Sequence, residues 1–165
     1  MDERYSRVLD AVAKEDSIKL RELASEYSDD AAINQDKESL QLAVITYSFH
    51  KIFSKIHFRE KTESLVESSI KKLSEGMLEG VIGEIESFDR EHGLFHGGLV
   101  GKARIKIGSR IYSRGISITH ASTLSGAPVS EILEYSGDTK HHEEKERVSL
   151  SDRLNKARDV FMNGK

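Results

Sequence analysis

The chain of 165 residues contains no cysteine, no tryptophan and a single proline, Pro128. Without cysteine there can be no disulfide, no thiolate metal site and no cysteine nucleophile. One proline leaves room for long uninterrupted helices, whereas a β-sandwich needs many turns. We therefore expect an all-α fold, and the length predicts one domain with or without a small appendage.

Long apolar runs of the membrane-spanning kind are missing as well. The first ten residues, MDERYSRVLD, are charged and lack an apolar signal region. The longest apolar-dominated stretch, residues 40–58, is interrupted by His50, Lys51 and Lys55, which indicates a buried core helix rather than a membrane span. We expect a cytoplasmic protein with no membrane partner.

Apolar residues recur at helical spacing in the first half of the chain, which predicts an N-terminal helical bundle over residues 1–92. One helix is expected from about Asp2 to Lys14 and another over residues 17–28, followed by a polar connector, SDDAAINQD. From about Lys37 the apolar residues widen to cover most of a helix circumference, which is typical of a central helix.

A long apolar seam is expected in one helix over residues 62–88. Its members step by three and four: Val66, Ile70, Leu73, Met77, Val81, Ile85 and Phe88. Such a seam packs against another helix or a second copy of the chain, and it predicts a homodimer or other homo-oligomer. Gly76, Gly80 and Gly83 indicate either close helix approach or a bend. The glycine-rich residues 91–101 then predict a hinge.

Charge is distributed unevenly along the chain, although the net charge is only −3. Residues 1–99 hold 13 basic and 20 acidic side chains, whereas residues 100–137 hold five basic and two acidic ones. The first part would repel a phosphate backbone, and the second would attract one. If nucleic acid is bound, the cations that bind it should lie after residue 99.

The stretch RGISITHASTLSGAPVSEILEYSG, residues 114–137, predicts two short helices joined by a tight turn. Ser117 is a suitable cap for the first helix, and Gly126 suits a left-handed turn residue. Pro128 suits the first turn of the second helix, in which Ile132 and Leu133 are expected to point inward. Together with the helix that precedes Gly115, these elements predict a helix-turn-helix unit over residues 98–137.

The same region resembles a family of small archaeal and bacterial antitoxin-like proteins, whose pattern runs roughly LYxxGxIS and then xxAAxLAGVSxxEFL. The matching residues are Ile111, Tyr112, Gly115, Ile116, Ser117, Ala121, Leu124, Gly126, Glu131, Ile132 and Leu133. The resemblance covers about a quarter of the chain and implies a helix-turn-helix with a DNA-binding or antitoxin-like role. Ser122 and Ser125 stand where the family has alanines, and Ala127–Pro128 replaces its usual serine cap.

A DNA-binding transcriptional regulator is therefore the first functional hypothesis, with double-stranded DNA as the partner. Phosphate contacts are expected from Lys102, Arg104, Lys106, Arg110 and Arg114. Base contacts are expected from Thr119, His120, Thr123 and Ser130. The second helix carries Glu131 and Glu134 and no basic residue, so most of the grip on DNA should come from the helix before Gly115.

The alternative hypothesis is a helical protein-interaction scaffold that does not bind DNA. Residues 138–150 are expected to be a linker, and residues 151–165 a terminal amphipathic helix that docks a partner protein or a second copy. Histidine pairs such as His141–His142 do not supply the three or four convergent ligands of a zinc site, so no metal or other cofactor is expected. No nucleophile–base pattern stands out, and no enzyme is predicted.

Overall fold

A computed structural model of the chain describes residues 3–55 and 61–137, and within these ranges it contains helices and no strand. The all-α fold expected from the sequence is confirmed. The helices are α1 (Glu3–Ala13), α2 (Ser17–Asn34), α3 (Lys37–Phe53), α4 (Glu63–Ser74), α5 (Leu78–His92), α6 (Leu99–Ser113), α7 (Ile118–Ser125) and α8 (residues 129–137). No helix of the described residues is long and apolar enough to span a bilayer.

Helix α3 is the centre of the fold, as its wide apolar surface predicts. Leu42, Ile45 and Phe49 are fully buried on it, and α1, α2, α5, α6 and α7 all pack against it. A two-residue connection returns α3 along α2, and the hydroxyl of Ser17 at the start of α2 lies 3.0 Å from Nδ1 of His50 near the end of α3. The two helices therefore run antiparallel and supply the largest part of the core.

The polar connector expected at residues 28–36 is wrong for most of its length, because α2 continues to Asn34. Ala31 and Ala32 are buried in this last part of α2. Small apolar side chains in a polar-looking stretch allow it to continue the packed face of the helix. The actual connection is Gln35, in the left-handed conformation at φ 53°, and Asp36, whose carboxylate accepts from the Ser39 amide at 2.7 Å.

The seam expected in one helix over residues 62–88 is divided between α4 and α5. The glycines predicted either close helix approach or a bend, and the chain bends between Ser74 and Leu78, where Gly76 has a φ of +72° that glycine adopts without steric cost. Six of the seven seam residues are buried in the chain's own core or packed against it, and only Met77 is well exposed. The seam residues are thus buried by other helices of the same chain, so the seam does not require a second copy of the chain. A homo-oligomer stays a prediction.

Residues 91–101, where a hinge was expected, form a connection between α5 and α6 that is held by hydrogen bonds. The carboxylate of buried Asp89 accepts from the backbone amides of Phe95 at 3.1 Å and Leu99 at 2.6 Å. The Lys55 ammonium donates to the Leu94 carbonyl at 2.6 Å. One apolar core continues across this connection, from α1 through Ala121 of α7. The predicted division between residues 1–92 and 98–137 is therefore not a boundary between two cores.

Helices α6, α7 and α8 pack closely because the residues at their contacts are small. A Cβ placed on Gly108 of α6 would lie 2.7 Å from the Ser125 hydroxyl and 2.9 Å from Cδ1 of Ile132. The Ser136 hydroxyl donates to the Ile132 carbonyl, which leaves Ser109 of α6 as the donor to Ser136 at 2.6 Å. This close approach is what fixes α8 against α6.

Ile132 points inward as expected, but Leu133 does not. Ile132 is fully buried, but Leu133 is 45% exposed, because consecutive residues on a helix face directions about 100° apart. The linker predicted at residues 138–150 and the helix predicted at residues 151–165 lie outside the described residues.

Candidate functional site

The turn between α7 and α8 is built by local hydrogen bonds. Ser117 caps α7, its hydroxyl accepting from the His120 amide at 3.3 Å. The helix ends at Gly126, with φ +70°, whose amide donates to the Ser122 carbonyl. The Ser122 hydroxyl then donates to the Ala127 carbonyl at 2.7 Å. Ser117 and Gly126 thus have the roles that the sequence predicted for them.

Arg104 of α6 lies beside this turn. Its guanidinium is 3.4 Å from the Ser125 carbonyl, and a Cβ on Gly126 would lie 2.7 Å from Nη1 of Arg104. Arg104 and Thr123 line a hollow of about 220 Å³ between α3, α5 and α7. No carboxylate of the described residues forms an ion pair with Arg104, although its charge helps to lower the pKa of Glu79 after the nearer effects of Lys37 and Gln41.

Arg110 and Arg114, which are expected to contact phosphates, both form ion pairs with Asp29 of α2. Arg110 donates to the two carboxylate oxygens at 2.9 and 2.8 Å, and Arg114 does so at 3.0 and 2.8 Å. The hydrogen bonds from Arg110, followed by those from Arg114, hold the pKa of Asp29 below its ordinary value despite partial burial. The sequence could not show this, because Asp29 is about eighty residues away.

The five cations of α6 and its end do not share one surface. Arg104 lies in the hollow beside the α7–α8 turn, whereas Lys106 lies in a separate groove with its Nζ 4.8 Å from the Tyr47 ring centroid. Residues two apart on a helix are rotated by about 200°, so these side chains leave α6 in nearly opposite directions. Lys102 is exposed near the start of α6. The five residues expected to contact phosphates therefore do not lie on one side of α6.

The residues expected to contact bases have different exposures. Thr119, Thr123 and Ser130 are exposed, and His120 is half-buried. The Thr123 hydroxyl donates to the Thr119 carbonyl at 2.9 Å, which places both threonines on one side of α7.

Helix α8 combines exposed acids with exposed apolar side chains. Glu131 and Glu134 are exposed, and residues 129–137 contain no cation. Val129 is 38% exposed and Leu133 is 45% exposed; the two are four residues apart and so share one side of the helix.

A wide groove opens between α2, α3, α6 and the end of α8, with a volume of about 1380 Å³. We call it the tyrosine groove, because Tyr47, Tyr112 and Tyr135 line it together with Arg21, His50, Lys106 and Arg110. The sequence did not single out Arg21, Tyr47 or Tyr135. Each looks like an ordinary boundary residue of its own helix, and only the packing of four helices brings them together.

His50 lies 3.0 Å from the Ser17 hydroxyl through Nδ1, a contact that invites comparison with a nucleophile–base pair. The same Nδ1 is 2.9 Å from the Ser17 carbonyl oxygen, which is satisfied only if Nδ1 carries a proton and donates it. A nitrogen in that state cannot accept the hydroxyl proton. Burial, the largest effect, lowers the pKa of His50, which favours the neutral ring. The contact ties the start of α2 to the end of α3.

Within residues 3–55 and 61–137, no three histidine or carboxylate side chains come together as they would around a metal ion. Comparisons with protein-family models, with curated proteins and with solved structures found no match to this chain. Two surfaces of the described residues are candidates for binding, the α7–α8 turn with Arg104 and the tyrosine groove.

Proposed function

We propose that the chain is a DNA-binding regulator or antitoxin-like protein that docks on duplex DNA through α7, the turn at Gly126 and the start of α8. The observation that carries this proposal is the position of Arg104, which lies at the turn without an ion-pair partner among the described residues. A guanidinium beside the turn is suited to a phosphate oxygen, because it donates two hydrogen bonds in one plane.

Two further features support the same surface. Thr119 and Ser130 are exposed, and their hydroxyls are suited to donate to phosphates or base edges, whereas the Thr123 hydroxyl already donates to the Thr119 carbonyl and is suited to accept from a base edge. The first backbone amides of α8 lack intrahelical partners and carry partial positive charge, which favours an anion at that end of the helix. The resemblance of residues 102–135 to antitoxin-like proteins also supports this proposal.

The acidic side chains of α8 oppose tight binding. Glu131 and Glu134 are exposed, and both would be repelled by a phosphate backbone. We therefore expect a modest affinity, dominated by phosphates and with little sequence preference. Changing both residues to glutamine should tighten binding to every duplex by a similar factor.

The test is fluorescence anisotropy of a mixed-sequence duplex at about 50 and 200 mM salt, where phosphate contacts give a strong salt dependence. Arg104→Ala should weaken binding of all duplexes and reduce the salt slope by about one. Arg114→Ala is the matched control, because Arg114 is already held by Asp29. No binding at low salt, or equal losses in the two variants, would contradict the proposal.

A protein-interaction scaffold is the second candidate, and the exposed pair Val129 and Leu133 favours it. Two apolar side chains on one side of a helix are suited to packing against a second apolar helix. We take that helix to be α8 of a second copy of the chain. Sedimentation equilibrium should then show a dimer that Leu133→Asp abolishes, and a monomer at all concentrations would exclude this candidate.

A further inference from the structure

Positively charged side chains from three helices lie in or beside the tyrosine groove. Arg21 of α2 and Lys106 of α6 line it, and Lys51 of α3 lies beside it, its Nζ 5.6 Å from the ring centroid of Tyr47. The ammonium of Lys106 approaches the same ring at 4.8 Å. None of these three cations forms an ion pair with a carboxylate of the described residues.

The carboxylates that line the groove already have partners. Glu26 receives two hydrogen bonds of 2.6 Å from Arg7, and Glu22 lies 3.4 Å from the Lys19 ammonium. Asp29 is shared by Arg110 and Arg114, so its single negative charge leaves one of the two positive charges uncompensated. The lining itself holds three cations and three carboxylates, so the excess of positive charge comes from the neighbouring cations Arg7, Lys19, Lys51 and Arg114.

The excess of positive charge disfavours the charged form of Lys106. Desolvation, followed by the charges of Lys51, Arg110 and Arg21, holds the pKa of Lys106 below its ordinary value, although the residue as a whole is exposed to solvent. A cation that is partly desolvated and close to like charges is less stable than one surrounded by water. The cation–π contact with Tyr47 offsets only part of that cost. A bound anion would remove the repulsion and complete the hydrogen bonding of the ammonium.

The size and the aromatic lining restrict the anion further. A volume of about 1380 Å³ is far larger than a single phosphate or sulfate needs and is ample for a drug-sized ligand. Tyr135 of α8 is 40% exposed and Tyr112 is half-buried, and both line the groove, so part of its surface is aromatic. Aromatic surface beside cations is suited to a ligand with a flat ring and a phosphate group.

We propose that the tyrosine groove binds a small phosphorylated molecule with an aromatic ring, of the kind represented by a nucleotide, with its phosphates at Arg21, Lys51 and Lys106. This is a site separate from the DNA surface proposed above. Arg104 and Lys106 leave α6 in nearly opposite directions, so the two ligands would use different sides of that helix. Tyr135 places the end of α8 in the groove, and a bound nucleotide would therefore contact the helix-turn-helix unit directly.

The experiment is isothermal titration calorimetry of the full chain with ATP, pyrophosphate, adenosine and a short duplex as separate probes. ATP should bind, pyrophosphate more weakly, and adenosine most weakly, because the phosphates supply the charge-assisted hydrogen bonds. Lys106→Gln and Arg21→Gln should each weaken ATP binding by roughly tenfold or more. Lys102→Gln is the matched control, since it removes an exposed charge from the same helix outside the groove.

Several outcomes would overturn the proposal. One is the absence of heat with both ATP and pyrophosphate, and another is ATP binding that Lys106→Gln leaves unchanged. Competition of the duplex for the ATP site would assign the groove to nucleic acid instead. The two proposals fail separately: Arg104→Ala should weaken DNA binding and spare ATP, whereas Lys106→Gln should weaken ATP binding and spare DNA. Thermal melting of each variant identifies any loss that comes from unfolding.

Discussion

The α2–α3 pair and the α6–α8 unit are packed in different ways. Between α2 and α3 the contacts are made by large side chains, and Tyr27, Leu42 and Phe49 have no exposed surface. Between α6 and α8 they are made by Gly108, by the hydroxyls of Ser109 and Ser136, and by Ile132. The first region is stabilised mainly by apolar area, and the second by close approach and hydrogen bonds.

This difference explains where the two candidate surfaces lie. When helices meet through small residues, their larger side chains are left to face solvent or a groove. Leu133 and Tyr135 are examples on α8, at 45% and 40% exposure. Most large residues of α2 and α3, in contrast, fill the core, although Ile18 and Ile33 of α2 are 67% and 76% exposed. The α6–α8 unit carries the turn with Arg104, and it shares the tyrosine groove with the outer faces of α2 and α3.

The same substitution in the two regions should have very different effects. Leu42→Ala removes a fully buried side chain from α3 and should lower the free energy of unfolding by about 2–5 kcal/mol. Leu133→Ala removes an exposed one from α8 and should change it by no more than about 0.5 kcal/mol. Urea denaturation of both variants measures the two values. Similar losses would mean that the regions are not packed differently.

A substitution at Asp89 tests how the α6–α8 unit is joined to the preceding helix α5. Asp89→Ala removes the acceptor of two amides at the α5–α6 connection, and each unsatisfied buried amide costs about 1–3 kcal/mol. We expect the free energy of unfolding to fall by about 2–4 kcal/mol. Asp89→Asn keeps one acceptor oxygen and should lose less. Hydrogen exchange should show faster exchange of the Phe95 and Leu99 amides, and unchanged exchange would indicate that the connection is held by other contacts.

The sequence predicted those parts of the fold that depend on local pattern. The wide apolar surface of α3, the Ser117 cap and the left-handed Gly126 each depend on residues within one or two helical turns. The break at Gly76 could not be chosen over a close approach, because both alternatives place glycine in an apolar seam. The extension of α2 was missed since Ala31 and Ala32 were buried by helices that the local sequence does not reveal.

The candidate surfaces were harder to predict than the helices. The sequence shows where the cations of α6 are, but not which side chains contact them. Arg110 and Arg114 meet Asp29 only through the packing of α6 on α2, and Lys106 meets Tyr47 only through the packing of α6 on α3. A charge pattern shows where cations are, and tertiary contacts decide which of them remain available.

The last prediction, with a small expected change in stability, tests the close contact of Gly108 in α6 with Ser125 and Ile132. Gly108→Ala places a Cβ against the Ser125 and Ile132 side chains, at distances that require these side chains to shift. Overpacking of this kind costs about 1–3 kcal/mol, even though alanine is the better helix former by about 1 kcal/mol. Gly83→Ala in α5 is the matched control, because its Cβ would meet nothing within 4 Å and the change should stabilise the protein. Thermal melting should therefore shift in opposite directions for the two variants. A stabilised Gly108→Ala would show that α6 and α8 are not in close contact and would remove the reason for the exposure of Leu133.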